Sequence, residues 1–371
     1  MSNSVGYAER IAFSLRELYG RYGYRQYKMS KFEEYDLYAR NKDFLISDSV
    51  ITFTDLSGKL MALKPDVTLS IVKNSMDCPG IRKLYYHENV YRINRGDLAY
   101  REIMQVGLEA IGSVDCFTIS EVLLLAAKSL QAVDSQAVLD ISHLGLLSEL
   151  MESLSIPNEY QNPMVKLISQ KNAHEMAALC QECGVCPEDI QLMRQLIAIS
   201  GKPATVLPEL ERLLTGRVCE ATLAQFRNVL LDVADTEAGE LLRVDFSVVD
   251  DLHYYNGFVF KGFVPGLPGS VLSGGQYDKL MDKMKRTDRA IGFAVYTDLL
   301  EQLEESGEDF DVDVVLLYDD SCPLASIRTH ARLLSQQGRS VLVQRVLPQD
   351  IRCKKVIKLS GNEVILLENN A

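Results

Sequence analysis

The sequence predicts an α+β fold in which helices flank an antiparallel sheet, with a helical insertion and a small C-terminal α/β domain. Two observations lead to this prediction. Segments rich in β-branched and aromatic residues occur before residue 112 and return after residue 243, whereas residues 144–234 have helical periodicity nearly throughout. Strands that are separated by a run of helices in this way are typical of one antiparallel sheet with an insertion.

The segments before the insertion alternate between helices and hairpins. Apolar residues at three- and four-residue steps predict helices, and apolar runs on either side of turn residues predict strands. The turn residues lie at 55–58 and, for a longer hairpin with a polar loop, at 94–97. The predicted helices are at residues 9–22, 65–73 and 118–131, and the predicted strands are at residues 50–53, 60–63, 83–92 and 100–111.

The rest of the chain predicts a return to the sheet and then a second domain. We place a core at residues 1–300, which includes the mainly helical insertion at about 144–235, and an α/β domain at residues 311–371. The acidic segment 301–313 is a candidate linker. Core strands are predicted at 244–249, 258–264, 270–273 and 290–295 before a helix from Thr297, and the second domain is predicted to have strands at 314–318, 341–343, 356–359 and 364–367 and a helix at 326–337.

Composition disfavours two classes of function. With 39 Lys plus Arg and 51 Asp plus Glu the formal net charge is −12, which repels phosphate backbones and disfavours nonspecific nucleic-acid binding. Residues 1–10 carry no secretory signal, and no apolar run approaches the roughly 20 residues of a membrane span. Eight cysteines without regular pairing are typical of a reduced protein. We therefore expect a cytoplasmic protein that has no membrane partner.

Polar side chains within apolar runs predict a ligand pocket. On an antiparallel strand Gln105, Gly107 and Glu109 share one face, and the glycine would leave space above the sheet for a small ligand. Asp66 and Thr68 lie in the first turn of a predicted helix. Carboxylates and hydroxyls of this kind hold amino groups and imidazoles. Taken singly, each carboxylate could equally be exposed or paired on a surface.

Four segments, in this order, resemble the class II aminoacyl-tRNA synthetase fold and specifically its histidyl branch. Each segment alone would be weak, but four in order at plausible separations are strong. The resemblance covers about residues 5–300. The segments are LKPDVT at 63–68, YR at 91–92 with YREIMQVGLE at 100–109, LHYYN at 252–256 with VF at 259–260, and SGGQYD at 273–278 leading to AIGFA at 290–294.

The resemblance implies that the pocket holds histidine. In histidyl-tRNA synthetases the matching positions hold the amino acid, and the two neighbouring tyrosines would wall the pocket and supply a hydroxyl. The first of these tyrosines, taken alone, would instead predict core packing. The residues expected to bind histidine are Asp66, Thr68, Arg92, Gln105, Glu109, Tyr254 and Tyr255.

The resemblance also implies that catalysis is lost. Adenylate formation needs cations where charge gathers on the transferring phosphate, and a working synthetase of this branch supplies three arginines. Arg92 matches the first, but Asp250 and Leu299 stand at the positions of the others. Asn94 replaces an acidic residue that helps to hold adenine. Since losing one such cation costs on the order of 10²- to 10⁵-fold in rate, we expect no catalytic residues and no aminoacylation.

Within this branch the chain resembles the regulatory subunits of ATP phosphoribosyltransferase, the first enzyme of histidine biosynthesis. That resemblance implies a non-catalytic partner of the short-form catalytic subunit, which senses L-histidine for feedback inhibition, needs no cofactor and forms a homodimer within a hetero-oligomer. Two departures are Asp250, where the family often keeps an arginine, and the absence after Tyr24 of the proline of the first class II motif. Because the C-terminal domain resembles only the beginning of an anticodon-binding domain, tRNA binding is not expected.

Two alternatives to this function remain. The chain could be a residual synthetase-like enzyme, or a regulator of another system that binds histidine or tRNA. ATP–pyrophosphate exchange and tRNA binding across salt concentrations would distinguish them. Cys180, Cys183 and Cys186 have the spacing of metal ligands. Their helical surroundings favour cysteines that pack as small hydrophobes, so we predict no metal site.

Overall fold

The computed structural model describes residues 6–41, 50–75, 77, 79–93, 99–249, 254–303, 310–360 and 363–370. The chain divides into two compact units with separate cores. The larger unit spans Tyr7–Leu303, and the C-terminal unit contains Gly6 and the described residues from 310 onward.

Nine of the described strands form the main sheet of the larger unit. Its neighbouring strands are antiparallel except for the pairs β1–β5 and β7–β9. In sheet order the strands are β1 (Arg25–Gln26), β5 (Ile81–Ile93), β6 (Tyr100–Gly112), β12 (Arg289–Tyr296), β11 (Ser270–Gln276), β10 (Phe258–Phe263), β7 (Val138–His143), β9 (Leu242–Asp245) and β8 (Ser200–Gly201). Strands from before and after the insertion therefore share one sheet, which confirms the predicted α+β class.

Helices α1 (Tyr7–Arg21) and α4 (Cys116–Val133) pack against this sheet and bury their apolar sides in the main core. Asp115 caps α4, since its carboxylate accepts a hydrogen bond of 2.8 Å from the backbone nitrogen of Thr118. Among the described helices, α4 is long and apolar enough to cross a membrane by length and composition alone, yet 56% of it is buried inside the unit. The core helix of a globular domain meets the same test.

The insertion contains six helices among the described residues. Pro157 precedes the second helix, and Pro187 and Pro203 open the fourth and fifth, where a missing N–H costs nothing. Pro163 and Pro208 lie inside helices rather than between them. The helices are α5 (Leu144–Ser153), α6 (Asn158–Ser169), α7 (Ala173–Glu182), α8 (Pro187–Ala198), α9 (Pro203–Leu214) and α10 (Glu220–Ala234).

A small sheet and three short helices lie beside the main sheet. The small sheet has the order β2 (Phe32–Glu34), β4 (Leu60–Leu63) and β3 (Thr52–Thr54), and β3 with β4 forms the predicted first hairpin. The helices are α2 (Tyr35–Arg40), α3 (Thr68–Asn74) and α11 (Asp278–Lys283). A second apolar core joins these elements to β5 and β12.

The C-terminal unit is an α/β arrangement with its own small core. Its sheet has the order β14 (Val341–Gln344), β13 (Val312–Tyr318), β15 (Cys353–Ser360) and β16 (Glu363–Asn369). Strand β13 runs parallel to both β14 and β15, whereas β16 is antiparallel to β15. Helix α12 (Leu324–Gln336) connects β13 to β14 and packs Ile327 against Leu316 and Leu359 in the core.

The structure corrects three element boundaries. The strand predicted at 244–249 ends at Asp245, because the carboxylate of Asp245 accepts hydrogen bonds from the backbone and hydroxyl of Ser247 and forms a turn. The helix predicted from residue 65 begins at Thr68. The helix predicted from Thr297 is a 3₁₀-helix over the described residues Thr297–Leu303.

Candidate functional site

One face of β6 forms the floor of a pocket in the larger unit. Gln105, Gly107 and Glu109 point to this face, and both polar side chains are buried. On one side β5 places Tyr86 opposite Gly107, and on the other side β12 places Gly292 opposite Glu109. The alternation of side chains along paired strands therefore collects residues of three strands on one surface.

Glu109 is the centre of the pocket's hydrogen bonds. Its carboxyl accepts hydrogen bonds of 2.8 Å from the hydroxyl of Thr68 and 2.6 Å from that of Tyr277. A Cβ atom at Gly292 would overlap this carboxyl, so the glycine makes room for it. Burial raises the pKa of Glu109 to about 8, although both hydroxyl hydrogen bonds oppose the shift. Without a cationic ligand beside it, this carboxyl is therefore mostly protonated at neutral pH.

Asp66 lies at the start of α3 and is also buried. Its carboxylate accepts a hydrogen bond of 2.9 Å from the backbone nitrogen of Leu69, as a helix cap does. Burial raises the pKa of Asp66, and that hydrogen bond and the nearby Arg92 oppose the shift. The Nε atom of Arg92 donates to the carbonyl oxygen of Pro65 at 3.0 Å, which ties the end of β5 to this segment.

Tyr254 and Tyr255 form the wall of the pocket opposite the sheet. Their ring centroids are 4.5 Å apart at an interplanar angle of 71°, and Tyr254 is 6.2 Å from the ring of Tyr277. The ring of Tyr255 lies so close to Gly275 that a Cβ there would approach it to 2.7 Å. The glycine in this strand thus permits the close packing of the tyrosine wall.

All seven residues predicted to bind histidine line this one cavity. The structure adds further lining residues that the prediction missed, and three of them are tyrosines. The complete lining is Asp66, Thr68, Tyr86, Arg92, Gln105, Glu109, Tyr254, Tyr255, Ser273, Tyr277, Gly292, Phe293, Ala294 and Tyr296. Ser273 and Tyr277 belong to the segment 273–278 that resembles the synthetase family, so that resemblance could have identified them.

The role predicted for Gly107 is wrong. The space above this glycine is filled by the phenol of Tyr86 and the carbonyl oxygen of Phe293, instead of being open to a ligand. The cavity volume is about 40 Å³. Since a water molecule needs roughly 10–15 Å³, this volume holds a few waters.

Comparison with known proteins identifies the family of the chain. A sequence model described as histidyl-tRNA synthetase matches residues 3–300. The chain belongs to the histidyl-tRNA synthetase family. The matched segment includes every residue that lines the pocket.

Two proteins that are similar to this chain are named ATP phosphoribosyltransferase regulatory subunit. The protein from Oceanobacillus iheyensis is 25% identical over 94% of this chain and 86% of its own length. The protein from a strain of Bacillus cereus is 25% identical over 90% of this chain and 81% of its own length. The similarity therefore extends beyond the family segment into the C-terminal unit.

Solved structures share the fold. A Bacillus halodurans protein described as an ATP phosphoribosyltransferase regulatory subunit/histidyl-tRNA synthetase superposes with a TM-score of 0.79 at 22% identity, covering 95% of this chain and 94% of that one. Histidyl-tRNA synthetase from Nostoc gives 0.73 at 17% identity, with 95% and 88% covered. A chain of the ATP phosphoribosyl transferase (HisG:HisZ) complex from Thermotoga maritima gives 0.61 at 17% identity, with 77% and 96% covered. These likenesses establish the class II synthetase fold.

Of the three positions predicted to lack a catalytic group, one lies within the described residues. Asp250 and Asn94 lie outside the described residues. Leu299 lies in the 3₁₀-helix after β12, and its side chain packs against the main core of the larger unit. An aliphatic side chain at that position supplies no charge to a phosphate.

The three closely spaced cysteines do not converge in the structure. Cys180 is buried on α7, where its thiol contacts the sulfur of Met176 at 3.7 Å, Cys183 follows the end of the helix, and Cys186 is exposed before α8. Over the described ranges, no group of three or more His, Cys, Asp or Glu side chains is arranged to hold a metal ion.

Proposed function

We propose that this chain is a non-catalytic regulatory subunit of ATP phosphoribosyltransferase that acts in the first step of L-histidine biosynthesis. The observation that carries the proposal is the similarity to proteins of that name over 94% of the chain. The Thermotoga complex, whose chain has the same fold, supports assembly with a catalytic subunit. We expect a homodimer within a hetero-oligomer in the cytoplasm, and the mass of the purified complex measures its stoichiometry.

We propose L-histidine as the ligand of the pocket. Two buried carboxyl groups, Asp66 and Glu109, suit a ligand with an ammonium group and a second donor. Five tyrosine rings line the cavity, and such rings favour cations and flat aromatic groups. Feedback inhibition would follow if the histidine-bound and histidine-free pockets favoured different states of the partner, with a coupling of about 1–3 kcal/mol.

The absence of synthetase activity belongs to the same proposal. Leu299 and Asp250 take positions where an active synthetase of this branch has arginines, which supports a chain that cannot stabilise the charge of a transferring phosphate. Among the described residues that line the pocket, Arg92 is the one cationic side chain, and its Nε atom donates to the carbonyl oxygen of Pro65.

Reconstitution tests this function. The purified chain is mixed with the short-form catalytic subunit of ATP phosphoribosyltransferase, and phosphoribosyl-ATP formation is followed with and without histidine. We expect activity that depends on this chain and falls when histidine is added. A matched variant, Glu109→Gln, should still activate the catalytic subunit but should lose inhibition by histidine. Equal activity with and without the chain would refute the regulatory role.

A residual histidyl-tRNA synthetase-like enzyme is the second candidate, because the family model and the Nostoc structure are both of synthetases. Histidine-dependent ATP–pyrophosphate exchange decides between the two, and we expect none. A third candidate, a regulator of another system that binds tRNA, requires tRNA affinity that falls steeply with salt.

A further inference from the structure

One end of the pocket is lined by a side chain of β12. Residues 292, 294 and 296 of this strand face the pocket. Gly292 has no side chain, Ala294 has a methyl group and Tyr296 has a phenol, so the side chains become larger along the strand. Tyr296 lies opposite Gln105 and completes the lining at this end. A ligand that extends along β12 beyond an amino acid meets this ring.

A carboxylate follows the ring closely in the chain. Asp298 is two residues after Tyr296 in the 3₁₀-helix, and its Oδ1 atom is buried with no hydrogen-bond partner among the described residues. Burial raises the pKa of Asp298, and the positive charge of Arg92 is close enough to oppose the shift. When its carboxyl is ionised, Asp298 therefore offsets part of the positive charge of Arg92.

The remaining contacts of Arg92 act in the same direction. Its Nε atom donates to the carbonyl oxygen of Pro65, and the buried Asp66 feels its charge. The guanidinium of Arg92 therefore already interacts with polar groups of the chain. A phosphate group would have to compete with the carboxylates of Asp66 and Asp298 for it.

We infer that Tyr296 and Asp298 are specificity-determining residues that restrict the pocket to a free amino acid and exclude phosphate-bearing ligands such as nucleotides. The inference rests on the proposed function only for the identity of the amino acid. Tyr296 acts by filling space, and Asp298 acts by offsetting the positive charge of Arg92, the lining cation that a phosphate would contact. Each contribution can be removed separately.

Titration calorimetry of the full chain with magnesium-ATP tests this inference. The variants are Tyr296→Ala, Asp298→Asn and the double variant, and the control is Tyr100→Ala, which removes an exposed ring outside the pocket. We expect no ATP binding at millimolar concentration for the unchanged chain and the control, and for the double variant a dissociation constant at least tenfold below the highest ATP concentration used. Asp298→Asn alone, which is nearly isosteric, should show part of the gain even if loss of the ring impairs folding.

Two outcomes would overturn the inference. One is ATP binding by the unchanged chain as tight as that of the double variant, and the other is no gain in any variant that is folded by circular dichroism. A parallel titration with L-histidine separates this test from that of the proposed function. Histidine binding without the ATP gain refutes only the role of Tyr296 and Asp298, whereas the ATP gain without histidine binding refutes only the proposed ligand.

Discussion

At the scale of single residues, Glu109 decides most of the chemistry of the pocket. It is buried, it accepts two hydroxyl hydrogen bonds, and burial raises its pKa to about 8. A cationic ligand favours the ionised carboxylate, so binding below pH 8 must drive off a proton. The same residue therefore couples ligand affinity to pH.

This coupling predicts proton release on histidine binding. At pH 7 we expect release of about one proton from Glu109 per histidine bound, and an apparent affinity that weakens by about tenfold for each unit that the pH falls below 8. Calorimetric titrations in buffers with different ionisation enthalpies measure the number of protons. Glu109→Gln cannot release this proton, so equal release by the variant would show that another group is responsible.

Gly292 provides a second prediction at this scale. In Gly292→Ala the new methyl group would overlap the Glu109 carboxyl and lie 2.5 Å from the carbonyl oxygen of Leu108. We expect a loss of about 1–3 kcal/mol in the free energy of unfolding, measured in urea, together with weaker histidine binding.

Gly20→Ala is the matched control for that substitution. Gly20 lies in α1, and apart from the backbone of its own helix no atom lies within 4 Å of its Cβ position, so the change should raise stability by about 0.5–1 kcal/mol. Equal stability of the two alanine variants would mean that the pocket adjusts to a larger residue at position 292.

Sequence reasoning found the polar residues of the pocket but not all of its aromatic ones, for a physical reason. A carboxylate within an apolar run is unusual, so Asp66 and Glu109 are conspicuous. A tyrosine such as Tyr86 or Tyr277 is as common in a core as in a pocket, and only the contacts with Glu109 and above Gly107 reveal its role. The error at Gly107 has the same origin, since the residue that fills its space lies on another strand.

At the scale of elements, polar side chains cap the starts of helices, and His143 is one of them. His143 ends β7 and caps α5, because its Nδ1 atom accepts a hydrogen bond of 3.1 Å from the backbone nitrogen of Leu146. The ring packs edge-on against Phe226 and Phe258. Burial lowers the pKa of His143 to about 4, so the folded chain holds this imidazole neutral.

That cap predicts a loss of stability in mild acid. The folded pKa is below the unfolded value of about 6.5, so the contribution is complete above pH 6.5 and is lost as the pH falls toward 4. The total is on the order of 3 kcal/mol. His143→Asn keeps a capping oxygen without this titration, so the difference in free energy of unfolding between the two chains should shift between pH 7 and pH 5. A pH-independent difference would contradict the prediction.

Element types were predictable from the sequence, whereas some of their ends were not. Apolar periodicity identified α1, α4 and the long hairpin of β5 and β6 because these elements are long. The end of β9 at Asp245 depends on hydrogen bonds between this residue and Ser247, which no periodicity shows. The 3₁₀ form after Thr297 likewise depends on local geometry.

At the scale of the whole molecule, the pocket belongs entirely to one of the two units. Every lining residue lies within Tyr7–Leu303, and the C-terminal unit has separate cores on its own sheet. A ligand stabilises only the structure that binds it. The two units should therefore respond differently to histidine.

Differential scanning calorimetry measures this difference. At a histidine concentration of 100 times the dissociation constant, we expect the transition of the larger unit to gain about 2.7 kcal/mol and the transition of the C-terminal unit to stay unchanged. Glu109→Gln is the control, and neither of its transitions should move. An equal shift of both transitions would show that the units unfold together.

The two hydrogen bonds of Glu109 have a consequence for synthesis of the chain. They join residues that are 41 and 168 positions apart, with the whole helical insertion between Glu109 and Tyr277. While the chain leaves the ribosome, the insertion is complete before Tyr277 emerges, so the pocket is among the last parts of the larger unit to be assembled. A nascent chain that stops before Tyr277 therefore lacks this complete pocket, and binding of the proposed ligand histidine would report that the larger unit has finished folding.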